Sequence, residues 1–327
     1  MIFFCSSSEG GFRQSDLQGL YKGMSAFLVG GAPSLKTQPY KLLESQGVLC
    51  FGMNNVPALV RCQYMVCSDD PRCFDRRLLR DPTLCKLMNV GYASKPIRDG
   101  DSCKLRDCPN VLFFETDIPH DDSRLFLPTK KVNWKRNSLF LSISLMAYFG
   151  VRRIYLAGSD FGPADRGNPT DPDGQYSVGA SLKADEQVWN NLLYKYEIQD
   201  LLKLKPVFAD AGLEIVDTSA NSKLSTEWRT MPLDKAVEQC LADNGFPARN
   251  DNPKDLPHVS RLYPESLKEQ VVNNRYTIVD EKDSVYASVD QATGVAGLAT
   301  TTTTETPQQE DAPSANDKKA FELPKIV

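Results

Sequence analysis

The chain has 327 residues, 41% hydrophobic and 24% charged, enough for one large or two medium globular domains with a buried core. Its net charge of −4 supplies no global basic field for duplex nucleic acid, and no apolar run approaches the ~20 residues of a membrane span. The apolar run Ile2-Phe3-Phe4-Cys5 is too short for a signal peptide, so the expected location is cytoplasmic. Nine cysteines, an odd number, fit reduced thiols better than a disulfide framework. Cys62, Cys67, Cys73, Cys103 and Cys108 cluster without the C-x₂-C spacing of common zinc sites, and Cys50 and Cys67 read as small core residues.

In chain order, residues 1–24 are a lead-in with Leu17 and Leu20 as docking points. Residues 25–230 alternate short apolar runs with helical stretches, which predicts an α/β domain. Its expected form is an open parallel sheet with helices on both faces. Strands are expected at 26–29, 48–52, 64–68, 111–114, 154–157 and 213–216, and helices at 35–46, 71–80, 138–149 and 182–203. The 138–149 segment is apolar nearly all round, as a helix packed on a sheet would be, and Gly150 stops it before a buried strand. Residues 231–284 form an extension with one more helix at 231–242 and then a Pro-rich connector. Residues 285–327 hold few apolar side chains to offset ordering entropy and are expected to be a disordered tail. Its last residues, 320–327, regain apolar character and suit docking as a peptide.

Ligands of an open parallel sheet gather beyond the carboxyl ends of its strands. The 26–29 strand is followed by Gly30-Gly31-Ala32-Pro33-Ser34-Leu35-Lys36. Paired glycines there admit a ligand close to the backbone, Ser34 suits a helix N-cap, and the free N–H groups of a helix start attract phosphate. The run is neither GxxxxGK[ST] nor GxGxxG, and a tight connection without a ligand is the ordinary alternative. Asn54 and Asn55 follow the second strand, Ser68, Asp69 and Asp70 the third, Gly158, Ser159 and Asp160 the 154–157 strand, and Asp217–Ser222 the last. Each has a plainer role open to it: a turn for the asparagines, an N-cap for Asp70, a loop cap for Asp160. Together they would line one rim.

With only His120 and His258 in the chain, a Ser-His-Asp or Cys-His engine is not expected. Carboxylates remain for acceptor deprotonation or Mg²⁺ binding: Asp69, Asp70 and Asp160, with Asp165, Asp171 and Asp173 in the loop that follows. Lys135, Arg136 and Ser138 open the buried helix, where an anion could be held; a solvated helix entrance is the alternative. Residues 161–189 are long, polar and Gly/Pro-punctuated, which suits a lid carrying Tyr176 and Ser177, or a plain surface loop.

These residues, from the Gly-Gly-Ala-Pro-Ser-Leu-Lys opening through Asn54-Asn55, Ser68–Pro71 and the Gly150–Phe161 block to 217–224, resemble one superfamily. It includes the 6-hydroxymethylpterin diphosphokinase MptE-like proteins, the Maf-type flagellin glycosylation proteins and the bacterial sialyltransferases of the Campylobacter type. The resemblance spans about residues 25–225. It implies a Rossmann-like nucleotide site in which Gly30, Gly31, Pro33, Ser34 and Asn54 hold a CMP-sugar, with the Gly158–Phe161 block near the nucleotide and Tyr176 on the leaving phosphate. Ala180 stands where the sialyltransferase branch carries its catalytic-base histidine, so either Asp185 or Glu186 deprotonates the acceptor or the chemistry is not sialyl transfer. The Ser-Asp-Asp-Pro strand end looks more like the MptE and Maf side, where an acidic group and Mg²⁺ assist transfer.

The expected nucleotide-binding set is thus Gly30, Gly31, Pro33, Ser34, Lys36, Asn54, Asn55, Ser138, Gly158, Ser159 and Tyr176. Asp160, Asp185 and Glu186 are the catalytic candidates, and Asp69 and Asp70 the Mg²⁺ candidates. The expected activity is transfer of a sugar from a nucleotide-activated donor to a hydroxyl acceptor, both small molecules. A Mg²⁺-dependent pyrophosphokinase acting on a pterin-like alcohol is the second reading, and a non-catalytic nucleotide- or partner-binding module the third.

Overall fold

The apolar run Ser25–Val29 (β3), buried along its whole length, pairs in parallel with Cys50–Met53 (β4) on one side and Arg153–Ala157 (β10) on the other. These strands belong to a computed structural model that describes residues 3–6, 12–15, 17–81, 83–117, 132–133, 138–161, 184–220, 222–224 and 228–246. Beyond β4 the sheet continues in parallel through Tyr64–Val66 (β5), Cys85–Asn89 (β6) and Val111–Phe114 (β7). Beyond β10 it ends at Glu214–Asp217 (β11), also parallel. At the far edge Phe3–Ser6 (β1) runs antiparallel to β7, and Phe12–Ser15 (β2) antiparallel to β1. The resulting order is β11-β10-β3-β4-β5-β6-β7-β1-β2, and a separate two-residue pair joins Thr116–Asp117 (β8) to Val132–Asn133 (β9). This is a Rossmann-like α/β sheet with an antiparallel hairpin at one edge, a hairpin absent from the sequence reading of the lead-in.

Successive strand residues alternate between two faces. Ala26, Leu28, Phe51, Tyr64, Leu112, Ile154 and Leu156 meet Ser138–Tyr148 (α2) and the carboxyl half of Ala184–Asp210 (α3). Phe27, Val29, Cys50, Tyr155 and Val216 face the other way, against Leu233–Asp243 (α4). Met65, Cys67, Met88 and Phe113 on that same face cover Leu78 and Leu79 of the short helix Arg76–Arg80 (α1). The helix expected within 231–284 therefore packs on the sheet itself. Cys50 and Cys67 are core residues, as expected.

The lead-in is laid along the carboxyl end of α2. The N–H groups of Gly19, Tyr21 and Gly23 donate to the carbonyls of Tyr148, Phe149 and Gly150, closing acceptors that a helix end leaves open. Leu17 is buried with α2, and Gly150 (φ +87°) lies so near the backbone of Gly19 and Lys22 that a side chain there would clash.

Two expected helices form differently. The stretch 35–46 is two 3₁₀ turns, Pro33–Thr37 and Tyr40–Glu44, because Pro39 lacks the N–H that a continuous helix needs. The stretch 71–80 divides into a 3₁₀ turn, Pro71–Cys73, and α1, with Asp75 capping the restart through the Arg77 N–H.

Candidate functional site

The strand order reverses between β3 and β10: successive connections move away from β3 in one direction up to β7, then return to its other side. A crevice beyond the carboxyl ends of such a pair is where open α/β sheets bind ligands. The loops after these two strands are Gly30–Lys36 and Gly158–Phe161, so the topology brings these two blocks of the sequence together.

Their contact is tighter than a ligand-binding gap requires. The Gly30 N–H donates to Ala157 O at 2.8 Å and the Ala32 N–H to Gly158 O at 3.0 Å. Gly158 has φ +62°, and a Cβ on it would stand 2.5 Å from Gly30 O, with the reverse clash equally severe. The two glycines are therefore needed for each other, a packing reason for glycine at both positions.

Ser34 is likewise reassigned. Ala32, not Ser34, occupies the N-cap position of the Pro33–Thr37 turn, and no side chain caps it there. Instead Asp160 reaches across: its Oδ2 accepts from the Ser34 N–H at 3.2 Å and its Oδ1 from the Ser34 hydroxyl. The backbone N–H expected to meet a phosphate thus meets a carboxylate of the same chain, 126 residues away. Lys36 on this turn is exposed. Behind Asp160, Phe161 holds φ +48° while its side chain is buried in the core; a bulky residue in the left-handed region is strained, and packing holds it there.

The wall behind these loops contains polar atoms without partners. Ser159 Oγ and Gln38 Oε1 are buried and bond to nothing among the described residues. They are joined through one segment: Gln38 Nε2 donates to Thr218 O at 2.5 Å, the Ser159 N–H to Ser219 Oγ at 2.8 Å, and the Ser219 N–H to Asp217 Oδ1 at 3.0 Å. Burial raises the pKa of Asp217, and the neighbouring Asp160 charge pushes it further the same way.

A second group of rim residues converges one strand over. Ser138, the first residue of α2, donates its hydroxyl to Asn54 Oδ1 at 3.2 Å and shares a 2.9 Å hydrogen bond with Ser68 Oγ. Asn54 has φ +54°, a strained conformation in which its side chain is turned onto the amino end of the helix. Asn55 turns inward instead and accepts from the Asp75 N–H at 3.0 Å, a structural role. Ser68 was seen in the sequence only as part of the strand-end run; its hydroxyl belongs with Asn54 and Ser138.

The two Mg²⁺ candidates differ. Asp69 is exposed. Asp70 caps the Pro71–Cys73 turn through the Arg72 N–H, and the Arg72 guanidinium at 2.9 Å holds its carboxyl below the usual range, with Lys95 3.8 Å away. That carboxylate is committed, the capping role being the one the structure supports. Among the described residues no group of three or more His, Cys, Asp or Glu is placed to hold a metal ion. Asp185 and Glu186 fall in the first turn of α3. Tyr176, Ser177, Ala180, Lys135, Arg136, Asp165, Asp171, Asp173, both histidines and everything beyond residue 246 lie outside the described residues. No helix among the described residues is long and apolar enough to cross a membrane.

The chain matches no protein-family model, and no curated protein or solved structure matches it significantly.

Proposed function

We propose that this chain is a nucleotide-dependent transferase, in the first instance a glycosyltransferase that moves a sugar from a nucleotide-activated donor to a hydroxyl acceptor. The observation that carries the reading is the Asn54–Ser138–Ser68 cluster at the amino end of α2, on the carboxyl edge of the sheet. A buried helix presents partial positive charge there, and the half-buried Asn54 amide nitrogen donates to a phosphate oxygen while the Ser138 hydroxyl, backed by Ser68, fixes the Asn54 side chain. The donor phosphate accordingly sits at α2, displaced from the Gly30–Lys36 turn, whose N–H Asp160 already occupies. The turn and Asp160 instead form the wall of the crevice, and Asp160 is a positioning residue for it. Acceptor deprotonation falls to Asp185 or Glu186. The pair Asp69 and Asp70 takes no step in this reading.

The test is a thermal-shift panel of CMP, UDP, GDP and ATP, each with and without Mg²⁺. Stabilisation by CMP or another sugar-carrying nucleotide without metal, lost in Asn54→Gly, is the expected result. Stabilisation by ATP only with Mg²⁺ would replace this reading with the pyrophosphokinase one, and no shift with any nucleotide would remove the donor site altogether.

A further inference from the structure

The chain contains one Asn-Gly pair, Asn244-Gly245, directly after α4 and at the amino end of the sheet. In such a pair the backbone nitrogen of the glycine attacks the asparagine side chain readily, because glycine has no Cβ to hinder the approach. The folded chain withholds the reaction in three ways. The Asn244 amide is held at both ends: Oδ1 accepts from the Ser25 N–H at 2.8 Å, while Nδ2 donates to Ser25 O at 2.9 Å and to Gly47 O at 3.3 Å. The attacking nitrogen is engaged as well, with the Gly245 N–H donating to Ala242 O at 3.1 Å. Asn244 also has ψ 0°, which eclipses the Gly245 nitrogen with the Asn244 backbone nitrogen and turns it away from Cβ. Phe246 then packs over Gly47, its ring filling the space that a side chain there would need.

The same contacts exclude the product. An aspartate at 244 would set an oxygen where Nδ2 stands, 2.9 Å and 3.3 Å from two carbonyl oxygens, with no proton to share at neutral pH. Its neighbour Asp243 already spends its carboxylate on Ser25 and Arg153. An isoaspartate would lengthen the backbone by a methylene inside the helix stop, where the N–H groups of Asn244, Gly245 and Phe246 donate to Cys240, Ala242 and Leu241.

We propose that Asn244 is an unfolding-gated deamidation site, a modification that locks opened chains out of the native state. Once the end of α4 leaves β3, the Gly245 nitrogen loses its proton and attacks Asn244 Cγ. An N–C bond forms, the Cγ–Nδ2 bond breaks, and ammonia leaves with a proton. Water adds to either carbonyl of the resulting succinimide ring, which opens to aspartate or isoaspartate. In sum, one amide and one water give one carboxylate and one ammonium. The site stands at the amino end of the sheet, away from the candidate rim, so the inference does not depend on the transferase reading.

The full chain is aged at mildly alkaline pH, in buffer and in urea above its unfolding midpoint, then digested and its peptides weighed. Conversion of Asn244 is expected to be slower in buffer by roughly 100-fold or more, the ratio being set by the opening equilibrium of α4. In urea it should outpace conversion of every other asparagine. After urea is removed, the converted fraction should refold with a lower urea midpoint than the unconverted one, or fail to refold. Asn244→Asp should lower the midpoint more than Asn244→Ala, which removes the same hydrogen bonds without adding a charge. If Asn244→Asp does not fold, the aged and refolded parent chain gives the same comparison. Equal conversion in buffer and urea, a faster asparagine elsewhere, or converted chains that regain the parent midpoint would each overturn the proposal.

Discussion

At Gly158 a methyl group has nowhere to go: the φ of +62° is wrong for it and Gly30 O lies 2.5 Å from where it would stand. Gly158→Ala should therefore cost roughly 2–3 kcal/mol of folding stability, read as a lower urea midpoint. Asn54 makes the opposite case, because glycine tolerates its φ of +54° without strain. Asn54→Gly is expected to hold or slightly raise the melting temperature while weakening nucleotide binding, which separates a binding residue from a structural one. Lys86 can be followed by pH, since burial lowers its pKa from 10.5 to about 8. The unfolded chain binds a proton that the folded chain lacks between those values, so the penalty is complete below pH 8 and gone above 10.5. Lys86→Met should thus be more stable than the parent by roughly 1–3 kcal/mol at neutral pH, an advantage that fades as the pH is raised. Equal stability of the two proteins at every pH would sink that account.

At the scale of elements, α4 closes the amino end of the sheet. Asp243 accepts from the Ser25 hydroxyl at 2.5 Å and from Arg153, while the Asn244 side chain accepts from the Ser25 N–H at 2.8 Å and donates to the Ser25 carbonyl at 2.9 Å. Asp243→Ala leaves the Arg153 guanidinium short of a partner and should lower stability by roughly 2 kcal/mol in denaturant titration. Elements of this kind show what the sequence displays and what it withholds. β3, β10, α2 and the Gly150 stop were legible because each is a continuous apolar run with a local terminator. β6 was not, because Lys86 sits at its centre and reads as a surface residue. The turn after β3 is obscured for a different reason: Pro39 breaks the helix that the apolar spacing suggests, and the partner that satisfies Ser34 lies far along the chain. The Asn54–Ser138–Ser68 cluster was half legible. Its members appeared as separate strand or helix ends, and only the sheet order shows that they meet.

At the scale of the whole molecule, the arginines of residues 72–80 offer no free basic face. Arg72 pairs with Asp70 and Asp99, Arg77 with Asp75, and Arg76 and Arg80 both approach Asp101. The core also has a chemical weakness. Burial pushes the thiols of Cys50, Cys62 and Cys67 up and that of Cys240 to about 12, from an ordinary 9.0. A raised folded-state pKa gives stability that is complete below the unfolded value and lost as the pH climbs toward the folded one. Stability should accordingly decline steadily from about pH 9 upward, and replacing Cys240 with alanine should blunt the decline in thermal scans across that range.

The laying of residues 17–24 along the end of α2 has a consequence for how the chain is made. Gly19, Tyr21 and Gly23 find their acceptors only at residues 148–150, β3 finds β10 only at 153–157, and Ser25 finds Asp243 and Asn244 some 218 and 219 positions later. Synthesis proceeds from the amino end, so the first central strand leaves the ribosome with none of these partners in existence. The contacts of β3 with α4 are completed only when some 219 further residues have emerged. A chain that stops before α4 therefore leaves Phe27, Val29, Tyr155 and Val216 short of their cover, an aggregation-prone intermediate instead of a partly working domain.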